Sequence, residues 1–231
     1  MPFRNFTSQA RKIVAIGRNY AEHAKELGNE VPKAPFFFLK PTSSFVTEPN
    51  AIEVPKGAVV HHEVELGLII GKDGRDIPAT QADSYIAGYF LALDMTARNL
   101  QDEAKKKGLP WSVAKGFDTF TPVGKFIEKS AIPNPDAFRL WLKIDGKSVQ
   151  DGPTSDMMFK IPQLIEHVSS VMKLEKGDVI LTGTPSGVGP VQPGQTLTGG
   201  IRPLNSSNDI STFSFPVINR PGSGLFGSGK L

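Results

Sequence analysis

The sequence predicts an α+β fold that is mainly β. Its 23 glycines and 19 prolines cut the chain into short segments, the punctuation of many strands and tight turns. Apolar runs are brief and end at Gly, Pro or Asp-Gly, and helical spacing is confined to a few short stretches.

Residues 11–16 read as a first strand, and 21–27 as a short helix ended by Gly28. Residues 34–39 are apolar and aromatic, closed by Pro41. The clearest strand is 61–70, with Gly71-Lys72-Asp73-Gly74 as its turn. Residues 86–93 form another, and 97–107 are helical, stopped by Gly108-Leu109-Pro110. Segments 140–144 and 147–150 pair as a hairpin around Asp145-Gly146. Residues 161–171 are helical with Pro162 in the first turn. A buried strand at 179–182 precedes a Gly/Pro-rich loop, and two short strands follow near Thr196 and Phe213. Residues 221–231 are rich in Gly and Ser and read as a flexible tail. With no internal linker, the expectation is one domain over 11–220, an N-terminal extension of residues 1–10, and that tail.

The chain has no cysteine, so disulfides and thiolate metal sites are excluded. Any metal must be held by carboxylate, imidazole or carbonyl groups, which favours Mg²⁺, Mn²⁺ or Ca²⁺ over zinc. The net charge is +3, and Lys105-Lys106-Lys107 has no interleaved aromatics. That run reads as a solvated helix end rather than a nucleic-acid patch. The apolar run 66–70 is far too short to span a bilayer, and the expectation is a soluble protein. Arg4, Arg11, Lys12 and Arg18 precede the first acidic residue, Glu22, as in a fragment of a transit peptide. The strand expected from Lys12 limits a removable segment to about ten residues.

The segment His61-His62-Glu63-Val64-Glu65-Leu66 is the most informative. On a strand, Glu63 and Glu65 share one side while Val64, Leu66 and Leu68 take the other. Their Cα atoms stand roughly 6–7 Å apart, so the carboxylates can converge on one ion. Unpaired they repel and are costly to desolvate, and a divalent cation offsets both costs. The alternative is the solvated face of an edge strand. Asp94 ends strand 86–93 just before a helix; it either joins the same ion or serves as a plain N-cap. Three oxygen ligands leave about half an octahedral shell open for water and substrate. Arg98 and Gln101, three apart on that helix, share a face. They point at the same site or form a surface pair.

Six motifs then occur in order: Gly17-Arg18-Asn19-Tyr20, Phe38-Leu39-Lys40-Pro41, His62-Glu63-Val64-Glu65-Leu66, Leu93-Asp94-Met95-Thr96-Ala97-Arg98, Lys107-Gly108-Leu109-Pro110-Trp111 and Leu181-Thr182-Gly183-Thr184-Pro185. Together they resemble the fumarylacetoacetate hydrolase family over roughly residues 10–200, and within it the short branch of acylpyruvases, oxaloacetate decarboxylases and oxaloacetate tautomerases. The resemblance implies a mixed β-sandwich roll of the fumarylacetoacetate hydrolase C-terminal type, with short helices and a small helical lid, usually a homodimer. It implies Glu63, Glu65 and Asp94 as ligands of Mg²⁺, with Mn²⁺ as a substitute. It implies a catalytic dyad of His23 and Glu26 on the lid, and Lys115 on the substrate carboxylate and enolate. Arg18, Lys40, Arg98, Gln101 and Thr184 match other substrate-contacting positions. Eukaryotic members of the branch are usually mitochondrial. Two departures are the absence of the separate N-terminal domain of the long members and a lengthened stretch at 202–209.

The chemistry is coherent. At i and i+3 of a helix, His23 and Glu26 can touch, and the carboxylate fixes the ring tautomer. Arg18, Lys40, Arg98 and Lys115 tip a cation-loaded pocket positive, which suits a small anionic keto acid. One enolate stabilised by the bound ion serves hydrolysis of acylpyruvates, decarboxylation of oxaloacetate, or its keto–enol tautomerisation. The glycine-rich loop from Thr182 lacks the lysine of a phosphate loop and reads as a rigid presenter of Thr184 to the substrate carboxylate. The rival of another class is a metal-stabilised binding module without catalysis. It explains the acidic strand, but neither the His–Glu pair nor Lys115.

Overall fold

The strand Val64–Ile70 is buried at every residue, because both its faces are covered. It lies third in a six-stranded sheet ordered Ile127–Glu128, Ile86–Leu93, Val64–Ile70, Val179–Leu181, Ile13–Gly17 and Phe36–Lys40. Ile13–Gly17 and Val179–Leu181 run parallel, while the flanks of Val64–Ile70 are antiparallel. A second sheet is ordered Lys147–Pro153, Phe138–Ile144, Thr196–Pro203, Ser211–Asn219 and Ile52–Val54. The computed structural model describes residues 3–26 and 32–222. The end of the first expected helix and nearly all of the glycine–serine tail lie outside the described residues.

Period-two alternation divides the core. Val64, Leu66, Leu68 and Ile70 join Val14, Ile16, Leu91 and Leu93 against Leu140, Leu142, Leu197, Ile201 and Phe215 of the second sheet. Ile69, Ile13, Ala15, Phe90, Ala92 and Val179 face the other way, into a cluster closed by Phe3 and Phe6. The result is a strand-rich α+β sandwich with short helices, as the sequence predicts. The helices are Ala21–Glu26, Arg98–Lys107 and Ile161–Val171, with single turns at Phe6–Gln9 and Ser112–Lys115. Among the described residues no helix is long and apolar enough to cross a membrane.

Two elements differ from the sequence reading. The strand expected over 61–70 divides at Glu63: Val60–His62 pairs with Gly189–Pro190 and Thr96–Ala97, while Val64–Ile70 enters the large sheet. The two short strands near Thr196 and Phe213 are long, Thr196–Pro203 and Ser211–Asn219. Gly199 and Gly200 interrupt their pattern in sequence. In space those gaps are filled by rings, since a Cβ on Gly200 would meet Trp141 at 2.5 Å and one on Gly199 would meet Phe213 at 2.6 Å.

The residues before the expected boundary at 11 contribute to packing. The Phe6 ring lies 4.6 Å from that of Phe90 and 6.1 Å from that of Phe45, and only 2% of Phe6 is exposed. Phe6→Ala is expected to lower unfolding free energy by about 3 kcal/mol, read from urea denaturation. A loss below about 1 kcal/mol would mean that this turn is not part of the cooperative core.

Candidate metal centre and active site

Antiparallel pairing sets Val64 opposite Leu93. The residues just beyond, Glu63 and Asp94, therefore meet at the end of the strand pair, where Asp94 N donates to Glu63 O at 2.8 Å. Glu65 is one rung further in, opposite Ala92. Carboxylate oxygens of Glu63, Glu65 and Asp94 lie within 4.8 Å of one another. All three residues are buried, so the solvated-edge reading of Glu63 and Glu65 does not hold. Asp94 is not a helix cap either, because the N-cap of Arg98–Lys107 is Ala97.

Three cations are threaded through these acids. Lys115 Nζ donates to Glu63 Oε2 at 2.9 Å and to Asp94 Oδ2 at 2.5 Å. Arg98 Nη2 donates to Glu63 Oε1 at 2.5 Å, while its Nη1 donates to Gln101 Oε1 at 2.6 Å. Burial works against the charge on Glu63, but Lys115 and Arg98 outweigh it and hold the carboxyl far below its usual range. Burial likewise opposes the charge on Lys115, and Asp94 and Glu63 outweigh it, raising its pKa. Among the described residues Glu65 has no such cationic partner; it accepts from Gly183 N at 2.7 Å. Burial first, then the charges of Asp94 and Glu63, push its pKa well above the carboxylate range.

Arg18, His23, Glu63, Glu65, Asp94, Arg98, Gln101, Lys115 and Thr184 all line one cleft. His23 is 5% exposed, and its Nδ1 lies 3.4 Å from Glu26 Oε2. Desolvation lowers the His23 pKa in spite of Glu63 and Glu26, so the ring is neutral at pH 7. Glu26 itself stands behind the ring, where its two carboxylate oxygens also accept from Gly187 N at 3.1 Å. Arg18 has left-handed backbone, φ 54°, and its guanidinium sits 5.6 Å from the Phe36 ring centroid.

Lys40 departs from its expected role. Its Nζ donates to Asp94 Oδ1 at 2.5 Å, Phe120 O at 2.8 Å and Met95 O at 3.4 Å. All three protons are engaged by the protein, and Lys40 is not among the cleft-lining residues. It holds Asp94 from behind the cleft lining. Thr184 is also committed: its hydroxyl donates to Val64 O at 2.8 Å and accepts from Gln150 Nε2 at 2.8 Å.

Supporting residues complete the site, and one of them, Gln150, carries no local sequence signal. Gln150 Oε1 accepts from Val64 N at 3.0 Å and faces His62 Nδ1 at 2.8 Å, so the second sheet fixes the strand that bears the acids. Asn19, fully buried, donates to Thr182 O at 2.8 Å and Phe159 O at 3.0 Å. Gly183 has φ +99°, and a Cβ there would lie 2.8 Å from that of Asn19. Glycine is thereby required at the residue whose N–H orients Glu65.

Three convergent carboxylates, one of them unpaired with any cation among the described residues, are a donor set that fits a hard divalent ion. Two outcomes follow for Glu65→Gln. In chelator its Tm is expected to equal or exceed that of the parent at neutral pH. The raised pKa of Glu65 means that the folded state is favoured by its neutral form and loses that contribution as pH rises. With Mg²⁺ or Mn²⁺ added, the parent Tm rises and that of the variant does not. A matching rise in the variant would remove Glu65 from the ligand set.

Residues 12–212 match the family "fumarylacetoacetate (FAA) hydrolase C-terminal". The chain is 58% identical over 198 residues to a mitochondrial oxaloacetate tautomerase of Arabidopsis thaliana, covering 85% of this chain and 89% of that one. It is 56% identical over 203 residues to a mitochondrial oxaloacetate decarboxylase of Dictyostelium discoideum, covering 87% and 93%. Among solved structures, the fumarylpyruvate hydrolase of Pseudomonas aeruginosa in complex with Mn²⁺ and pyruvate superimposes with a TM-score of 0.82 at 33% identity, covering 91% of each chain. A buried three-carboxylate centre on this strand-rich sandwich and a match over most of the chain lead to one conclusion: this protein belongs to the fumarylacetoacetate hydrolase family.

Proposed function

We propose that this chain is a Mg²⁺-dependent enzyme of short β-keto acids, acting on oxaloacetate by decarboxylation and keto–enol tautomerisation and on acylpyruvates by hydrolysis. The observation that carries this reading is the cleft in which three buried carboxylates, Lys115, Arg98 and a neutral His23 meet. The relatives named for oxaloacetate support the first pair of activities, and the relative holding Mn²⁺ and pyruvate supports the third. A non-catalytic binding module has no counterpart among these relatives.

Glu63, Glu65 and Asp94 are the ligands in this reading. When bound, the ion supplies a Lewis acid for the keto oxygen and open positions for the α-keto carboxylate. The chain does the rest. Lys40 and Arg98 hold Asp94 and Glu63 in place. The Lys115 ammonium, buried and fixed by two carboxylates, stands ready beside the oxyanion that develops as charge leaves the breaking bond. With its Nδ1–H directed at Glu26, His23 keeps the lone pair of Nε2 free to take a proton from water or from carbon. Hydrolysis needs that base to activate water. Decarboxylation does not, because carbon dioxide departs with no proton to remove.

The homodimer expected from the resemblance finds support in an exposed apolar groove that includes Leu109 and Val113, and light scattering tests it. The names of the relatives support a mitochondrial location, which imaging of the tagged full-length chain tests.

Rates on acetylpyruvate, enol-oxaloacetate and keto-oxaloacetate, with Mg²⁺ and with chelator, test the proposal; activity indifferent to chelation would overturn it. His23→Ala is expected to cut acetylpyruvate hydrolysis by at least about 100-fold while decarboxylation persists. Equal loss of both would refute that division of labour. Because desolvation lowers the His23 pKa, the acid limb of kcat/KM for hydrolysis is expected below about pH 6.5, the ordinary imidazole value.

A further inference from the structure

Lys105 is one of three consecutive lysines at the end of the helix Arg98–Lys107. Lys106 and Lys107 are exposed, whereas the Lys105 side chain is only 29% exposed. The reason is its register. Positions 98, 101 and 105 fall on one stripe of a helix, and Arg98, Gln101 and Lys105 all line the cleft. Trp111, another lining residue, holds the ammonium from below, with Nζ 5.7 Å from its ring centroid. Trp111 is itself braced by Phe36 and Phe38.

The other cations near the cleft are engaged. Lys40, Lys115 and Arg98 are bound to Asp94 and Glu63 in the buried floor. Arg18 and Lys105 are the partly exposed basic residues of the lining, which sets them at the mouth. The Arg18 guanidinium lies against the Phe36 ring. Lys105 has Asp102, at 3.6 Å on the same helix, with the Asp102 side chain 52% exposed, a pair worth only a few tenths of a kcal/mol. The charges of Arg18 and Arg98 both act against the charge on Lys105, so an anion at the mouth relieves a crowding of cations.

The geometry points to Lys105, with Arg18, as the reader of the distal carboxylate of a dicarboxylic keto acid. This rests on the function proposed above and narrows its substrate class. A four-carbon keto diacid has one carboxylate for the ion proposed at the acidic floor and a second to meet the mouth. An acylpyruvate with an uncharged tail offers nothing to Lys105. The residue is a determinant of specificity between anionic and neutral tails.

The test is steady-state kinetics of the Mg²⁺-loaded full chain on oxaloacetate and on acetylpyruvate, for the parent, Lys105→Met, Lys105→Arg and Lys106→Met. For Lys105→Met, KM for oxaloacetate is expected to rise about tenfold with kcat within about twofold, and KM for acetylpyruvate to change less than about twofold. Lys105→Arg restores most of the oxaloacetate KM, and Lys106→Met leaves both substrates unchanged. The oxaloacetate difference between the parent and Lys105→Met shrinks with added salt, because the contact is partly exposed. Equal shifts on both substrates, or none on oxaloacetate, would overturn the assignment while leaving the proposed function standing. A parent inactive on both substrates would overturn both.

Discussion

Everything in the cleft answers to one electrostatic constraint: three carboxyl groups share a space from which water is nearly excluded. Isolated, such a cluster would neutralise itself by taking up protons. The fold prevents this for Glu63 by placing Lys115 and Arg98 against it, and holds Asp94 between Lys40 and Lys115. Among the described residues Glu65 is left with a single backbone N–H. The arrangement is therefore balanced in its outer members and uncompensated in the one nearest the strand interior. A divalent ion corrects that imbalance in a way that no further lysine does, because it brings two charges and accepts oxygen donors from three directions.

The second sheet takes part in this although it contributes no acid. Gln150, on Lys147–Pro153, uses both ends of its amide: Oε1 receives Val64 N, and Nε2 donates to Thr184 Oγ1 and Pro185 O. The loop after Val179–Leu181 is likewise fastened to the acid-bearing strand, by Thr182 Oγ1 on Leu66 O and Thr184 Oγ1 on Val64 O, each at 2.8 Å. Position errors in these carboxylates are thus suppressed from two sides.

Much of this was legible in the sequence because it depends on local period. The alternation through Val64, Glu65 and Leu66, the strand ending at Asp94, and the i, i+3 spacings of His23–Glu26 and Arg98–Gln101 are short-range facts. What escaped reading depends on contacts distant in sequence. Nothing local to Gln150 announces that it will bind Val64 and Thr184. Lys40 was expected on the substrate because it is a lysine in a motif; only the fold shows its three protons engaged behind Asp94. Lys105 was hidden in a basic run whose other two members are solvated. The length of Thr196–Pro203 was concealed by glycines whose missing side chains are supplied by Trp141 and Phe213 across the ladder.

Glu26 touches the imidazole of His23 and the amide of Gly187 with the same carboxylate. Gly187 admits no side chain there, since a Cβ on it would lie 2.1 Å from Val149 O. In the proposed reaction, docking the segment Ala21–Glu26 and aiming the proton acceptor are then mechanically one event. One carboxylate thereby ties the aim of the His23 ring to the loop that follows Val179–Leu181.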